Sequence, residues 1–217
     1  MFDLLERDGR NLLGAPLSAR RAALEEVFAD IPGTSPLNIS LQTDDLEQAK
    51  EWFDSLAAVG IEGLVIKAAD QSYRPGSRGW WKVKHYATTE AIIGGITGTL
   101  DRPHELILGR HSSQTRELLV VGRTTQLDDC AAAEVAARLT PAAGEHPWPD
   151  ELPPSWTGSM YGRREPIPYV RVIPAIVVEV RVDVATQGHR WRHPLRFLRL
   201  RRDLNLGDVP QDLQLEA

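Results

Sequence analysis

Two lysines one residue apart carry the clearest chemical signal in this 217-residue sequence. Lys82 and Lys84 lie in the segment "GWWKVKHY", whose alternation predicts a β-strand with both lysine side chains on one face. The sequence contains only four lysines, so the local choice of lysine is distinctive. Two ammonium groups one pleat apart repel each other, and an anion between them relieves the repulsion. The pair indicates a phosphate site, with a solvated strand face as the alternative.

Glu62 opens a second predicted strand, "EGLVIKAA", which the turn segment "PGSRG" separates from the lysine strand. A carboxylate on a neighbouring strand could hold the metal ion that a bound phosphate requires, because Mg²⁺ prefers hard oxygen ligands. Taken alone, Glu62 could be a surface carboxylate, which is the usual place of a glutamate. Together, the lysine pair and Glu62 indicate a phosphate-plus-metal site between two strands.

Composition narrows the class of protein. The net charge of −5 argues against a uniformly basic nucleic-acid-coating protein, although positive charge can still be concentrated locally. No apolar run approaches the roughly 20 residues of a membrane span, and the acidic start "MFDLLERDGR" lacks the apolar length of a signal peptide. Cys130 is the only cysteine, which suits a reducing cytoplasm, and the six histidines show no zinc spacing.

Positive charge is concentrated in "HRWRHPLRFLRLRR", residues 189–202, which holds six arginines and no acidic residue. The pattern predicts a long strand near the end of the chain. One interpretation is a solvated strand face whose charge is balanced by acids elsewhere. The other is a surface that faces phosphate groups.

The first part of the chain, up to a boundary near residues 87–90, mixes strands and helices. We expect a short strand at "MFDLL" and an Asp-Gly turn at Asp8. The first predicted helix, "PLSARRAALEEVFAD", has a candidate buried stripe. The second, "TDDLEQAKEWFDSLAAVG", should be capped by Thr43 or Asp44 and end at Gly60. The stripe consists of Leu17, Ala22, Leu24, Val27 and Phe28.

The second part of the chain predicts about five strands with one helix, "LDDCAAAEVAARL", between them. This is the pattern of a small Greek-key barrel of the OB type. The stretch from about Thr140 to Pro168, rich in Pro, Gly and Trp, predicts an irregular loop.

Four segments, in order, resemble motifs of the ATP-dependent DNA ligases, a family of covalent nucleotidyltransferases. The segment "FDLLERDGRNLLGAPLSARRAAL" is similar to motif III, "EGLVIK" to motif IV, "SRGWWKVKHY" to motif V, and "RHPLRFLRLRRD" to the C-terminal motif. The resemblance covers nearly the whole chain, and the small actinobacterial-type ligases are the subtype it matches best.

The resemblance implies an α+β fold in two domains. Residues 1–88 would be the C-terminal half of a ligase adenylation domain, and residues 89–217 an OB-fold β-barrel. It also implies nicked duplex DNA and ATP as binding partners, Mg²⁺ or Mn²⁺ as metal cofactor, and a place in the cytoplasm on nucleoid DNA, with no membrane association.

The motifs also imply roles for individual residues. Lys82 and Lys84 would contact the α-phosphate of ATP or of the adenylate. Glu62 would bind the metal ion, and Phe2 would stack on adenine. Lys67, at the end of motif IV, is either a further ATP-binding residue or strand filler.

Trp80 matches the aromatic residue of motif V, and packing is its expected role. The C-terminal motif supplies three candidates for orienting pyrophosphate, namely Arg196, Arg199 and Arg201. Strict strand alternation would put Arg199 and Arg201 on one face and Arg196 on the other, so the three would not share one task.

One element of the family pattern is missing from these residues. The family nucleophile is a lysine in K-x-D-G, normally ahead of motif III, and no lysine in this sequence is followed by x-Asp-Gly. The turn at Asp8 has a similar pattern but carries Glu6 in the lysine position, and a carboxylate cannot form the phosphoramidate. We therefore expect that this polypeptide alone does not charge itself with AMP.

Three functions remain open from the sequence. The chain could be the larger part of a DNA ligase that seals nicks already carrying 5′-AMP, a step that does not use the missing lysine. It could instead be a non-catalytic remnant that binds DNA through its OB barrel and arginine strand. A relative of RNA-capping enzymes or RNA ligases is the third alternative.

Overall fold

The computed structural model describes residues 1–56, 61–153 and 167–215. The chain divides into two compact units, Met1–Lys84 and His85–Ala217. The first long strand of the second unit already begins at Tyr86, so residues 86–88 belong to its sheet. The assignment of the two segments to an adenylation domain and an OB domain stays a prediction.

The first unit has short strands and two helices. They are β1 (Glu6–Arg7), β2 (Arg10–Asn11), α1 (Leu17–Ala29), α2 (Leu46–Ser55), β3 (Gly63–Ile66) and β4 (Trp81–Lys84). β1 and β2 form a hairpin whose turn residues, Asp8 and Gly9, have φ angles of 50° and 76°, which confirms the predicted turn. The strand expected at "MFDLL" is wrong, because residues 1–5 pair with no described strand and β1 begins at Glu6.

Both predicted helices of the first unit are present, with differences in detail. On α1, Leu17 and Leu24 are buried as expected, but Ala22 is exposed and Arg20 takes a place on the buried stripe. The cap of α2 is Asp45, not Thr43 or Asp44, since its Oδ1 accepts hydrogen bonds from the amides of residues 47 and 48. Gly60 lies outside the described residues.

The second unit is built on a five-stranded antiparallel sheet with strand order β13-β10-β5-β6-β7. Its strands are β5 (Tyr86–Gly98), β6 (Pro103–His111), β7 (Leu118–Arg123), β10 (Val170–Asp183) and β13 (Arg196–Leu200). The helix α3 (Asp129–Ala136) follows β7, as predicted. Four two-residue strands accompany this sheet: β8 (Glu151–Leu152) and β9 (Ile167–Pro168) precede β10, and β11 (Thr186–Gln187) and β12 (Arg190–Trp191) follow it. The fold class is therefore α+β with antiparallel sheets, as expected.

The two outer strands of this sheet meet at one end. Thr124, which follows β7, forms a parallel bridge with Leu195, which precedes β13. The Thr125 amide donates to the Leu195 carbonyl at 2.7 Å, and the Leu195 amide donates to the Arg123 carbonyl at 2.8 Å. These bonds satisfy backbone groups at both edges of the sheet.

Apolar side chains cover both faces of the sheet. One face packs with α3 and Trp191 in a cluster that includes Ile93, Leu108 and Val180. The opposite face is covered by Trp148, whose Nε1 donates to the Leu118 carbonyl at 2.7 Å. The predicted loop at 140–168 thus contains a core residue and the β8–β9 pair, which its irregular composition did not reveal.

Arg110 on β6 ties the end of the described chain to the middle of this sheet. Its side chain is fully buried and donates to the carbonyl oxygens of Glu90, at 2.7 Å, and Gln214, also at 2.7 Å. A third carbonyl, that of Asp212, accepts at 3.3 Å. The guanidinium also lies over the Trp191 ring, 5.0 Å from its centre.

The predicted long strand at residues 189–202 is interrupted. β12 ends at Trp191 and β13 begins at Arg196, with Pro194 between them. Proline lacks the amide that a ladder requires, which accounts for the break. Among the described residues, no helix is long and apolar enough to cross a membrane.

Candidate functional site

The ladder between β3 and β4 places the lysine pair of the first unit. Lys84 lies opposite Gly63, and Lys82 lies opposite Val65. Alternation along β4 puts the two lysines on the same face of the ribbon, as the sequence predicted. Lys82 is exposed and Lys84 is half-buried, so the pair lies at the surface of the first unit.

Gly63 explains how closely the two strands approach. Its φ angle is 146°, which disfavours any residue with a side chain. A Cβ atom at this position would overlap the Val83 carbonyl oxygen and would lie 2.8 Å from the Cα of Lys84. Glycine is therefore required for the backbone of motif IV to lie directly against the lysine strand.

Glu62 immediately precedes β3 and is half-buried. Regular alternation from Leu64 would put it on the face opposite the lysines, but the φ angle of Gly63 interrupts the regular strand between the two. In the part of the chain that the structure describes, no three His, Cys, Asp or Glu side chains group as a metal site. Glu62 is therefore not part of such a group among the described residues.

Lys67 lies above an aromatic cluster. Its Nζ is 4.0 Å from the centre of the Trp80 ring and 4.8 Å from the centre of the Phe2 ring. Trp80 meets both Phe2 and Tyr73 edge-on, with ring centres 6.3 Å and 6.0 Å apart. Burial lowers the pKa of Lys67, while the charge of Asp3 acts in the opposite direction. Phe2 is 56% exposed and thus remains accessible for stacking.

A buried ion pair that the sequence analysis missed anchors Asp3, the residue that follows Phe2. Arg20 contacts both carboxylate oxygens of Asp3, at 2.8 Å and 2.9 Å, and both side chains are almost fully buried. Arg20 also donates to the carbonyls of Ala15, at 2.6 Å, and Gln71, at 3.1 Å. The available signal was an arginine spaced like an apolar residue between Leu17 and Leu24.

In the second unit, a β-bulge changes the expected faces of the arginine strand. Arg199 lies opposite Glu179 on β10, whereas Arg196 lies opposite Arg181, because the register shifts between these pairs. Directly opposed residues share a face, and Glu179 and Arg181 alternate onto one face of β10. Arg196 and Arg199 therefore lie on the same face, so the expectation from strict alternation is wrong.

Two of the candidate pyrophosphate ligands are already engaged by carboxylates. Arg199 donates to Glu179 at 2.5 Å, and Arg201 donates to Asp203 at 2.8 Å and forms an ion pair with Glu90. The hydrogen bond from Arg201 lowers the pKa of Asp203 to about 2. Arg196, by contrast, is exposed and forms no ion pair with any residue that the structure describes.

Comparison with known proteins agrees with these motifs. Residues 1–84 match the family model described as ATP dependent DNA ligase domain. The chain therefore carries an ATP-dependent DNA ligase domain over residues 1–84. It is 30% identical to DNA ligase C2 of Mycolicibacterium smegmatis over 216 residues, and 28% identical to DNA ligase C of Mycobacterium tuberculosis over 223 residues. Each alignment covers 93% of this chain and 60% of the relative.

Among solved structures, the ligase domain from M. tuberculosis LigD overlaps 97% of this chain and 65% of its own, with 28% identity and a TM-score of 0.46. The sequence thus spans about 60% of the length of these ligases. The matched region includes Lys82 and Lys84, which lie within residues 1–84 of the family model.

Proposed function

We propose that this ligase-family chain binds nicked duplex DNA and adenine nucleotide, and that it seals nicks whose 5′ end already carries AMP. The observation that carries the proposal is the β3–β4 register, in which Lys82 and Lys84 share one face. None of the four lysines lies in K-x-D-G, which supports the view that these residues alone do not form the AMP–lysine intermediate.

In the proposed sealing step, the 3′-hydroxyl oxygen attacks the 5′-phosphorus at the nick. A new P–O bond forms, the P–O bond to AMP breaks, AMP leaves, and the hydroxyl proton passes to solvent. Negative charge on the non-bridging oxygens increases in the transition state, and Lys82 and Lys84 stabilise it as two fixed positive charges.

A divalent metal, Mg²⁺ or Mn²⁺, would reduce the charge of the phosphate groups when it is bound. Glu62 fits the role of its protein ligand, because Mg²⁺ sites at phosphates commonly use one or two carboxylates together with substrate oxygens and water. The adenine would stack on Phe2, which directly precedes the anchored Asp3, and Lys67 would lie at the edge of the same aromatic cluster.

The second unit would hold the DNA as an OB-fold domain. Five antiparallel strands, the helix after the third and the parallel bridge between Thr124 and Leu195 support this assignment. We further expect a role in DNA repair or recombination, carried out in the cytoplasm on nucleoid DNA.

Two assays test separately whether the chain attaches AMP to itself and whether it seals an adenylated nick. The 217-residue chain is incubated with ATP labelled at the α-phosphate, and separately with a nicked duplex that carries a 5′-adenylate. We expect no covalent label on the protein but sealing of the adenylated nick. Replacing Lys82 and Lys84 by alanine should slow sealing by roughly 10²–10³-fold, the usual effect of removing transition-state charge stabilisation.

Lys50→Ala is the matched control, since Lys50 is an exposed lysine on α2 paired with Glu47. It should leave the sealing rate unchanged. A chain that becomes labelled with AMP contradicts the first part of the proposal, and sealing that is unaffected in the Lys82→Ala/Lys84→Ala variant contradicts the second.

Non-catalytic DNA binding is the second candidate function. The observation that favours it is the pairing of Arg199 and Arg201 with carboxylates, because an arginine neutralised in this way is a weaker ligand for pyrophosphate. Salt-sensitive DNA binding without sealing of the adenylated nick would select this function.

A further inference from the structure

The outer face of β13, β10 and β5 carries successive rows of side chains across the three strands. One row consists of Arg199, Glu179 and Glu90, which lie opposite one another in the ladders. Arg201 adds ion pairs to this row, with Glu90 and with Asp203. Positive and negative groups alternate here, so the row is internally neutralised.

The next row along the strands has a different composition. Arg196 lies opposite Arg181, and Arg181 lies opposite Thr88 on β5. These three residues, here called the arginine row, contain two positive charges and no carboxylate. The bulge in β13 creates this arrangement, because without the register shift Arg196 would face away from Arg181.

Opposed like charges destabilise an antiparallel ladder, so the arginine row requires an explanation. Within the described ranges, neither Arg181 nor Arg196 forms an ion pair with a carboxylate. The guanidinium of Arg181 instead lies over the Tyr86 ring, 4.9 Å from its centre. This contact holds one guanidinium in place but does not remove the repulsion from the other. An anion bound between the two would.

We propose that the arginine row binds a backbone phosphate of duplex DNA. The proposal rests on the DNA-binding function proposed above and adds the site. Two guanidinium groups match the oxygens of one phosphodiester. Tyr86, 55% exposed, holds the Arg181 guanidinium at the surface of the unit. Arg196 and Thr88 are exposed and Arg181 is half-buried, so the row lies at the surface of the unit, which suits a polymer better than an enclosed pyrophosphate.

The difference in charge between the two rows also indicates which arginines of the C-terminal motif would contact DNA. Arg199 and Arg201 have their charges balanced by Glu179, Glu90 and Asp203, and they serve mainly to hold the sheet face together. Among the described residues, no carboxylate pairs with Arg196. Arg181 lies outside all the motifs, and only the strand register connects it with Arg196.

The proposal is tested by the salt dependence of binding of a nicked duplex to the full chain. The logarithm of affinity falls with the logarithm of salt concentration by about 0.9 per neutralised phosphate. Arg181→Gln/Arg196→Gln should reduce that slope by about 0.9, and each single substitution should reduce it by less. Arg181→Lys should retain most of the slope but weaken binding, because lysine lacks the two-pronged geometry.

Arg202→Gln is the matched control, because Arg202 is an exposed arginine of the same segment that pairs with Glu134. It removes the same charge and should leave the slope unchanged. Thermal melting of each variant checks that the second unit remains folded, which matters most for Arg181, since it is half-buried whereas Arg196 and Arg202 are exposed.

The outcomes distinguish the two proposals. If the unmodified chain binds no duplex DNA, the proposed function and the site both fail. If the chain binds DNA and the double variant keeps the full slope, only the arginine row is wrong. If inorganic pyrophosphate protects Arg181 and Arg196 from arginine-selective modification while duplex DNA does not, the row is a pyrophosphate site, which also overturns the inference.

Discussion

The side chains of the first unit differ in how well the sequence alone predicts where they lie. The strand placement of Lys82 and Lys84 followed from two-residue alternation alone. Arg20 did not, because a buried arginine is recognised only when its acceptors are known, and here these include Asp3 and the Gln71 carbonyl from a distant segment. Long-range acceptors of this kind leave no local pattern.

At this scale, we predict an altered titration for Lys67. Burial lowers the pKa of its ammonium group. The folded chain therefore releases the Lys67 proton at a lower pH than the unfolded chain does, and the free energy of unfolding rises with pH between the two values. With only four lysines in the sequence, ¹³C-methyl labelling of the amines and NMR titration would resolve this group.

Phe2→Leu provides the comparison for that titration. The substitution removes a ring face that favours the charged amine, so the pKa of Lys67 should fall further. A Lys67 resonance that titrates at the same pH in the folded and urea-unfolded chains would show that burial of this amine is not significant.

At the scale of elements, most helices and long strands follow from patterning. Continuous apolar or alternating segments predicted β5, β6, β7 and β10, since each buries at least one face of the sheet. The β-bulge in β13 could not be predicted, because no local signal indicates which residue is left unpaired. Its position decides which arginines share a face.

The β3–β4 ribbon gives the prediction that belongs to this scale. Gly63→Ala should separate the two strands, since the new methyl group would overlap the Val83 carbonyl. The expected cost is about 1–3 kcal/mol for the disfavoured backbone angle alone, and more with the overlap. Hydrogen exchange along Trp81–Lys84 would report the loss of pairing at the alternate amides that point toward β3.

Gly14→Ala is the control for this change. A Cβ atom at Gly14 meets no atom within 4 Å, and its φ angle is not in the left-handed region. It should leave the exchange of the β3–β4 amides unchanged. Equal exchange in the Gly63→Ala and Gly14→Ala variants would mean that the close approach of the strands does not depend on glycine.

At the scale of the whole molecule, the two units differ greatly in burial. Among the described residues, only Leu17 and Leu24 are fully buried apolar side chains in the first unit, while the second unit contains two extensive apolar clusters. Several apolar side chains of the β3–β4 ribbon are exposed, including Ile66 and Trp81. The second unit therefore supplies most of the hydrophobic stabilisation.

Arg110 should be one of the most sensitive positions for the stability of that second unit. Arg110→Lys keeps the charge but cannot reach the separate carbonyls of Glu90 and Gln214, which then lose their buried donors. We expect the free energy of unfolding to fall by about 3–5 kcal/mol, as for other broken buried charge networks. Urea unfolding followed by circular dichroism would measure it.

The control for Arg110 is Arg102→Gln. Arg102 is 74% exposed and pairs with Asp129 at 3.3 Å. Its loss should change the free energy of unfolding by less than about 0.5 kcal/mol. Comparable losses in the two variants would indicate that Arg110 contributes no more than a surface arginine.

The central place of β5 in the sheet has a consequence for how the chain matures on the ribosome. One edge of β5 is taken by β6, which is synthesised directly after it, but the other edge must wait for β10, whose Asp183 pairs with Tyr86. During translation, the β5–β6–β7 meander emerges with one edge of β5 unpaired and with apolar side chains of this strand not yet covered. Slow synthesis through residues 99–169 would prolong that exposure, so the yield of native protein should depend on translation rate and on chaperones that shield nascent strands.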